Sequence, residues 1–175
     1  AIGQACEKSR FEFPSIVLSF VLNRTNAPKI DRNKPRDHSF PGIDGVQTQA
    51  AAVPEVFFTA QETLFTLGNL QKGETVLIHA AASGVGTAGI QMAREVGARV
   101  FVTAGSEEKI RRCIELGATA GCNYKERDFA DWIKEVTQGQ GVELIEDFIG
   151  AGYWNQNLQS LKIGGRVVLV GLMGG

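Results

Sequence analysis

Three glycines, Gly84, Gly86 and Gly89, stand at the spacing G-x-G-x-x-G inside VLIHAAASGVGTAGIQMAREVG, residues 76–97. That spacing suits one kind of chemistry, the cradling of a diphosphate. Gly84 permits a sharp turn, Gly86 lets a pyrophosphate approach the main chain, and Gly89 lets a helix pack closely on a sheet. Unpaired N–H groups at the start of the following helix then face the anion. A lone match of this kind is weak, because glycine-rich turns are common. Here an apolar run, Val76 to His79, precedes it, and Gly89, Met92, Ala93 and Val96 follow at i, i+3, i+4 and i+7.

The next chemically suggestive stretch is Thr103-Ala104-Gly105-Ser106-Glu107-Glu108-Lys109. An NAD site usually carries a carboxylate about 20 residues after the glycine turn, to bind the ribose hydroxyls. Here the tip is Gly105-Ser106, with Lys109 one helical turn on. A hydroxyl and an ammonium suit a 2′-phosphate, which a carboxylate would repel, so the loop favours NADP(H). Glu107 keeps NAD open, and Ser106 also reads as a helix N-cap. Tyr124, in the loop after a third strand, is either a neighbour of that phosphate or an ordinary half-buried aromatic. Ile149-Gly150-Ala151 and Gly171-Leu172-Met173-Gly174-Gly175 would lie along the nicotinamide half of an extended dinucleotide, where small residues permit close approach.

Other chemistries fit poorly. With only two histidines, His38 and His79, and no closely spaced cysteine pair, no metal site is expected. His79 reads as a satisfied sheet histidine, and ASGVG around Ser83 is not a G-x-S-x-G nucleophile elbow. A net charge of −1 gives no pull toward nucleic acid or anionic membranes. Cys6, Cys113 and Cys122 are odd in number and widely spaced, which points to a reducing, cytoplasmic compartment. The apolar run Ile16 to Leu22 is far short of the roughly 20 residues a membrane helix needs.

The elements that must position these residues alternate. A helix runs from Gln47, with Val53, Phe57, Ala60, Leu64 and Leu67 on one face, to a stop at Gly68. After the glycine turn come a second strand at Arg99 to Thr103 and a helix capped by Ser106, with Ile110, Cys113 and Ile114 inward. A third strand at Gly121 to Tyr124 precedes a helix capped by Asp128 and packed through Phe129, Trp132, Ile133 and Val136. A fourth strand spans Val142 to Ile149, and a helix from Tyr153 to Leu161 points Trp154, Leu158 and Leu161 inward. A fifth strand spans Arg166 to Gly171. This alternation predicts an α/β fold, a Rossmann-type doubly wound parallel sheet with right-handed crossovers. Glu146 fits it poorly, since it falls mid-strand in a sheet buried on both faces. Residues 23–42 are polar, hold Pro28, Pro35 and Pro41, and read as a linker. Their basic cluster suits a solvated linker better than a phosphate patch.

Taken together, AAAVPEVFFTAQETL, VLIHAAASGVGTAGIQMA, VFVTAGSEEK, LGATAGCNYKERDF, IGAGYWNQNLQSL, GGRVVLV and GLMGG resemble the zinc-independent quinone oxidoreductases, the zeta-crystallin-like group of the medium-chain dehydrogenase/reductase superfamily. The resemblance runs almost continuously from Gln47 to Gly175. It implies an NADPH-dependent enzyme that passes hydride to a quinone or activated enone without zinc. Ser83, Gly84, Val85 and Gly86 would then hold the pyrophosphate, and Ser106, Lys109 and Tyr124 would surround the 2′-phosphate. Ile149, Gly150, Leu172 and Met173 would line the nicotinamide side.

The resemblance also implies an N-terminal GroES-like barrel that closes over the nicotinamide. VLNRT (21–25) and FPGIDGV (40–46) match two short pieces of it, so residues 1–46 read as a truncated remnant with linker, and 47–175 as the NADP-binding domain. Asn23 matches an asparagine placed near the family's active site. The family sheet has a sixth strand whose edge often makes a homodimer; the sequence ends before it. The alternatives that follow are a non-catalytic NADPH-binding remnant and, from another class, a structural or RNA-binding relative.

Overall fold

The computed structural model describes residues 54–174. The proposed barrel remnant, Asn23 and the boundary between residues 46 and 47 lie outside the described residues.

Residues 54–61 are α-helical (α1) and pass directly into a π-helical turn, Glu62–Leu67. The alternation that follows is β1 (Thr75–Ile78), α2 (Gly84–Glu95), β2 (Arg99–Ala104), α3 (Glu107–Leu116), β3 (Ala120–Asn123), α4 (Phe129–Val136) and β4 (Val142–Asp147). A 3₁₀ turn at Ala151–Tyr153 then leads into α5 (Trp154–Ser160) and β5 (Leu161–Leu169). All strand pairs are parallel and the order is β3-β2-β1-β4-β5. The order reverses between β1 and β4, and ligands in such sheets bind beyond the strand ends at that switch.

Alternate residues of the central strands supply the two sides of the core. Val76, Ile78, Val100, Val102 and Leu144 pack with Leu64, Ile90 and Ala93 on one face. Leu77, Phe101 and Ile145 pack with Phe129, Trp132 and Ile133 of α4 on the other. Each fully buried Ile, Leu or Phe contributes about 1.5–3 kcal/mol of transfer free energy, so both faces must be covered for the sheet to hold. The caps fall where the side chains permit them. Asp128 accepts from the Ala130 and Asp131 amides at 2.7 and 3.2 Å, and the Lys109 amide donates to Ser106 Oγ at 3.4 Å.

Several expectations need correction. Leu67 is 61% exposed rather than inward. The Gly68 amide donates to the Thr63 carbonyl, an i to i−5 bond of 3.0 Å, so the last turn carries one residue more than an α-turn and its phase slips. Thr63 and Leu64 therefore take the buried positions. In α3, Ile114 is exposed while Ile110 and Cys113 are buried. In α5 the expected face is inverted. Asn157 and Ser160 are buried, while Trp154 and Leu158 are 44% and 51% exposed. Polar groups beneath the helix select its polar side.

β5 begins five residues earlier than the apolar pattern indicates. Val142 faces Leu161 but Leu144 faces Arg166, so the extra residues form a bulge containing Gly164 at φ +83°. Arg166 leaves this strand to donate to the Glu74 carboxylate at 3.0 and 2.6 Å and to the Asn69 carbonyl at 2.8 Å, capping the π-turn. The Arg166 guanidinium also holds the Glu74 carboxyl below its usual range.

Glu146 is completely buried in the sheet interior. The Thr63 hydroxyl contacts its Oε1, and Oε2 has no hydrogen-bond partner. Burial pushes this carboxyl up to about 7, with Thr63 opposing the shift.

Candidate dinucleotide-binding site

The turn after β1 is shaped by its own main chain. Ala80, not Gly84, adopts the left-handed conformation, at φ +45°. The sharp reversal thus comes four residues before the expected place, where the Ser83 amide donates back to the Ala80 carbonyl at 2.9 Å. Ser83 caps α2, accepting from the Gly86 amide at 3.1 Å. The Gly84 and Val85 amides, first in the helix, have no intrahelical acceptor and complete a row of donors at the positive end of α2.

A Cβ at position 86 would lie 2.6–2.8 Å from the Ala81 main chain, which cannot yield. Gly86 is therefore required by the turn itself. At position 84 a Cβ would meet Val56 at 2.9 Å. At position 89 it would meet Glu146 Oε2 at 3.2 Å and Ile78 and Leu64 at 3.4 Å, the close helix–sheet packing expected of the third glycine. These residues fit a diphosphate: a Cβ-free cradle, a hydroxyl cap and free amides converge at one helix start.

At the tips of β2 and β3, Gly105 lies under the side chain of Tyr124. A Cβ there would come within 2.8 Å of the Tyr124 hydroxyl and 3.3 Å of Lys125 Cε. Gly105, Ser106, Tyr124 and Lys125 thus gather at one place, with exposed Lys109 on the first turn of α3. Lys125 is an addition to the expected set. It follows Tyr124 in the quoted NYK motif, but only the folded loop brings it over Gly105.

The loops after β4 and β5 lie against each other. Val170 N–H donates to the Asp147 carbonyl at 2.7 Å, Met173 N–H to Phe148 at 3.1 Å and Gly174 N–H to Ile149 at 2.9 Å. Gly150 adopts φ +88°, ψ −132°, and a Cβ on it would strike Leu172 at 2.7 Å. Beside it, Gly150, Ala151, Trp154, Asn155, Leu169 and Leu172 line an open cleft of about 390 Å³. Ile149, Gly150 and Leu172 are thereby brought together, and the Met173 side chain is exposed outside the cleft lining.

Beneath these loops runs a buried polar chain that pattern reading missed. His79, one residue beyond β1, is fully buried; its Nδ1 is 2.8 Å from Thr103 Oγ1 and its Nε2 2.8 Å from Asn157 Oδ1. Asn157 Nδ2 donates to Asp147 Oδ2 at 2.8 Å, and Asp147 Oδ1 accepts from the Ile149 and Gly150 amides at 2.7 and 3.2 Å. Burial lowers His79 to about 4, so its ring is neutral at ordinary pH. The rings of Phe129 and Tyr153 pack edge-on around it at 4.7 and 4.9 Å. Burial, with the charges of Tyr124 and Asp147, pushes the Tyr153 phenol up to about 12. His79 is the satisfied histidine expected. The usable signal for its partners was that Thr103 and Asp147 sit at the ends of the two strands flanking β1.

Among the described residues no group of three or more His, Cys, Asp or Glu side chains is arranged to hold a metal ion, and no helix is long and apolar enough to cross a membrane.

Comparison with known proteins agrees with this architecture. Residues 84–175 match the family model described as zinc-binding dehydrogenase. The chain is 39% identical over 126 residues to the quinone oxidoreductase of Rattus norvegicus, covering 72% of this chain and 38% of that protein. The solved structure of a 2-haloacrylate reductase superposes with a TM-score of 0.69 at 35% identity, over 71% of this chain and 39% of that one. A putative enoyl reductase domain of a polyketide synthase gives a TM-score of 0.63 at 37% identity, over 67% of both chains. The chain therefore belongs to the zinc-binding dehydrogenase family, as a quinone-oxidoreductase-like member of the medium-chain dehydrogenase/reductase superfamily of oxidoreductases. It spans between 5% and 38% of the length of the curated relatives it matches.

Proposed function

We propose that this chain is the NADPH-binding part of a reductase that delivers hydride to a quinone or activated enone without zinc. The observation that carries the cofactor preference is the β2 tip. It ends in Gly105-Ser106, and Tyr124 and Lys125 stand over Gly105. A 2′-phosphate at this place would meet hydroxyl and ammonium donors, with Lys109 nearby. The diphosphate is assigned to Ser83, Gly84, Val85 and Gly86, and the nicotinamide side to Ile149, Gly150, Leu172 and Met173.

When bound, the reduced nicotinamide supplies the hydride, and the chain's own residues bind, orient and exclude water. The α2 amides would take the pyrophosphate, and the apolar wall at Leu169, Leu172 and Trp154 would shield one side of the ring. Both substrate classes are electron-poor acceptors of hydride, in keeping with relatives named for quinones, a haloacrylate and enoyl groups. Residues 1–46, with Asn23, are read as a truncated remnant of a GroES-like catalytic domain. The free, buried thiols of Cys113 and Cys122 suit the reducing cytoplasm.

The test is a titration of the full chain with NADPH and NADH, followed through the emission of Trp132 and Trp154. Lys109→Glu and Lys125→Glu should each weaken NADPH about tenfold while leaving NADH within about twofold, since each change sets a carboxylate against the 2′-phosphate. Equal responses to the two cofactors would sink the assignment. Loss of nicotinamide absorbance on adding a small quinone tests turnover.

A further inference from the structure

The buried chain Thr103–His79–Asn157–Asp147 has a direction. Asp147 offers two acceptor oxygens, and Oδ2 takes the Asn157 amide N–H. That bond turns the Asn157 carbonyl toward His79, so His79 Nε2 must carry the hydrogen and donate to it at 2.8 Å. The ring is neutral, which leaves Nδ1 to accept from the Thr103 hydroxyl at 2.8 Å. Every polar atom along the line thus has one compatible role. The line ends on the Ile149 and Gly150 amides, both held by Asp147 Oδ1.

This is an expensive construction if packing were its only purpose. Four polar side chains are fully buried, with the rings of Phe129 and Tyr153 against His79, where apolar groups of equal volume would fill the same space without desolvation. What the chain holds is not core but loop. Gly150 sits in a conformation reserved for glycine and touches Leu172, so the Asp147 carboxylate governs both loops at once.

We propose that His79 and Asn157 are positioning residues, which act through Asp147 to hold the Ile149–Gly150 turn and the adjoining Leu172 in the shape that receives the nicotinamide end of the cofactor. The proposal rests on the reading of the chain as an NADPH-binding reductase. Neither residue touches the cofactor; each acts on the aim of a loop that does. The adenosine end is built on α2 and on the tips of β2 and β3, and the polar chain meets it only at Thr103, two residues before Gly105, whereas Asp147 bonds the Ile149–Gly150 turn directly.

The experiment compares the full chain with His79→Phe, which keeps the aromatic packing and removes both hydrogen bonds, and with His79→Gln, whose amide places an N–H near the level of Nε2. Amide hydrogen exchange is read at Ile149 and Gly150 and, as the internal reference, at Leu77, Val102 and Ile145. In His79→Phe, protection at Ile149 and Gly150 should fall at least tenfold further than at the reference amides, and His79→Gln should restore most of it. In parallel, His79→Phe should weaken NADPH about tenfold and adenosine 2′,5′-bisphosphate, which lacks the nicotinamide, less than twofold. Loop protection that falls no further than the reference, or equal weakening of the two ligands, would overturn the proposal. A parent chain that binds neither ligand overturns the functional reading instead, and the exchange result still decides whether His79 holds the loop. Should His79→Phe fail to fold, Asn157→Leu breaks the same chain one step later and is read in the same way.

Discussion

The two faces of the central strand pair both bury ionisable side chains, and they treat them in opposite ways. On the α4 side, His79 has both ring nitrogens paired and continues into Asn157 and Asp147. On the α2 side, Glu146 has one oxygen against Thr63 and the other packed toward Gly89 of α2, without a hydrogen-bond partner. Equal burial therefore does not mean equal cost. A paired polar group in a low-dielectric interior is held firmly, whereas an orphaned one stays only by giving up its charge.

The largest effect that sharpens this contrast is expected from His79→Phe. It strands the Asn157 carbonyl and the Thr103 hydroxyl inside the core and should cost about 2–4 kcal/mol in urea unfolding at pH 8. A cost below about 1 kcal/mol would mean that the polar chain carries little of the stability of that face.

Glu146→Leu should have the opposite sign. Thr63 keeps acceptors in the Thr59 and Ala60 carbonyls at 2.9 and 3.3 Å, so nothing polar is stranded, and the variant should gain about 1–2 kcal/mol at pH 8. The gain should shrink as the pH falls toward 4.5. Glu146 is raised from 4.5 to about 7, so the folded chain retains a proton that the unfolded chain releases. Its contribution is complete below 4.5 and is lost as pH rises through 7. His79, lowered from 6.5 to about 4, runs the other way: its contribution is present above 6.5 and is lost as pH falls toward 4. In the parent chain the two slopes oppose each other between 4.5 and 6.5. In Glu146→Leu the His79 slope should emerge, with stability rising as pH increases across that window. A flat profile in the variant would break the comparison.

The smallest change is expected at Leu158→Lys, on the face of α5 that the apolar pattern assigns to the core. Because Leu158 lies outside, the unfolding free energy should change by less than about 0.5 kcal/mol. A loss of 2 kcal/mol or more would show that the apolar face of α5 is buried after all.

The same contrast explains what was legible. The Ser106 and Asp128 caps and the order of strands and helices each depend on residues within one or two turns of one another, and they stand where the sequence places them. The Gly84 role was misplaced because a left-handed alanine at position 80 leaves no compositional trace. The inverted face of α5 was hidden because Trp154 and Leu158 make a persuasive apolar stripe, while the reason to bury Asn157 sits 78 residues away at His79. Likewise, Lys125 reaches the β2 tip only through the turn that follows β3.

By itself, the sequence determined the α/β class, the parallel alternation, the glycine-rich turn before α2 and the Gly105-Ser106 tip of β2, because periodicity, capping and glycine stereochemistry act locally. Tertiary structure alone decided which buried polar groups find partners. Thr63 meets Glu146 across 83 residues, through a π-turn that no local preference announces. His79 and Asn157 are joined to the loop after β4 only when β1, β4 and α5 are stacked. A hydrogen bond between distant residues exists only once packing has already brought them to within 3 Å, so local pattern carries no record of it.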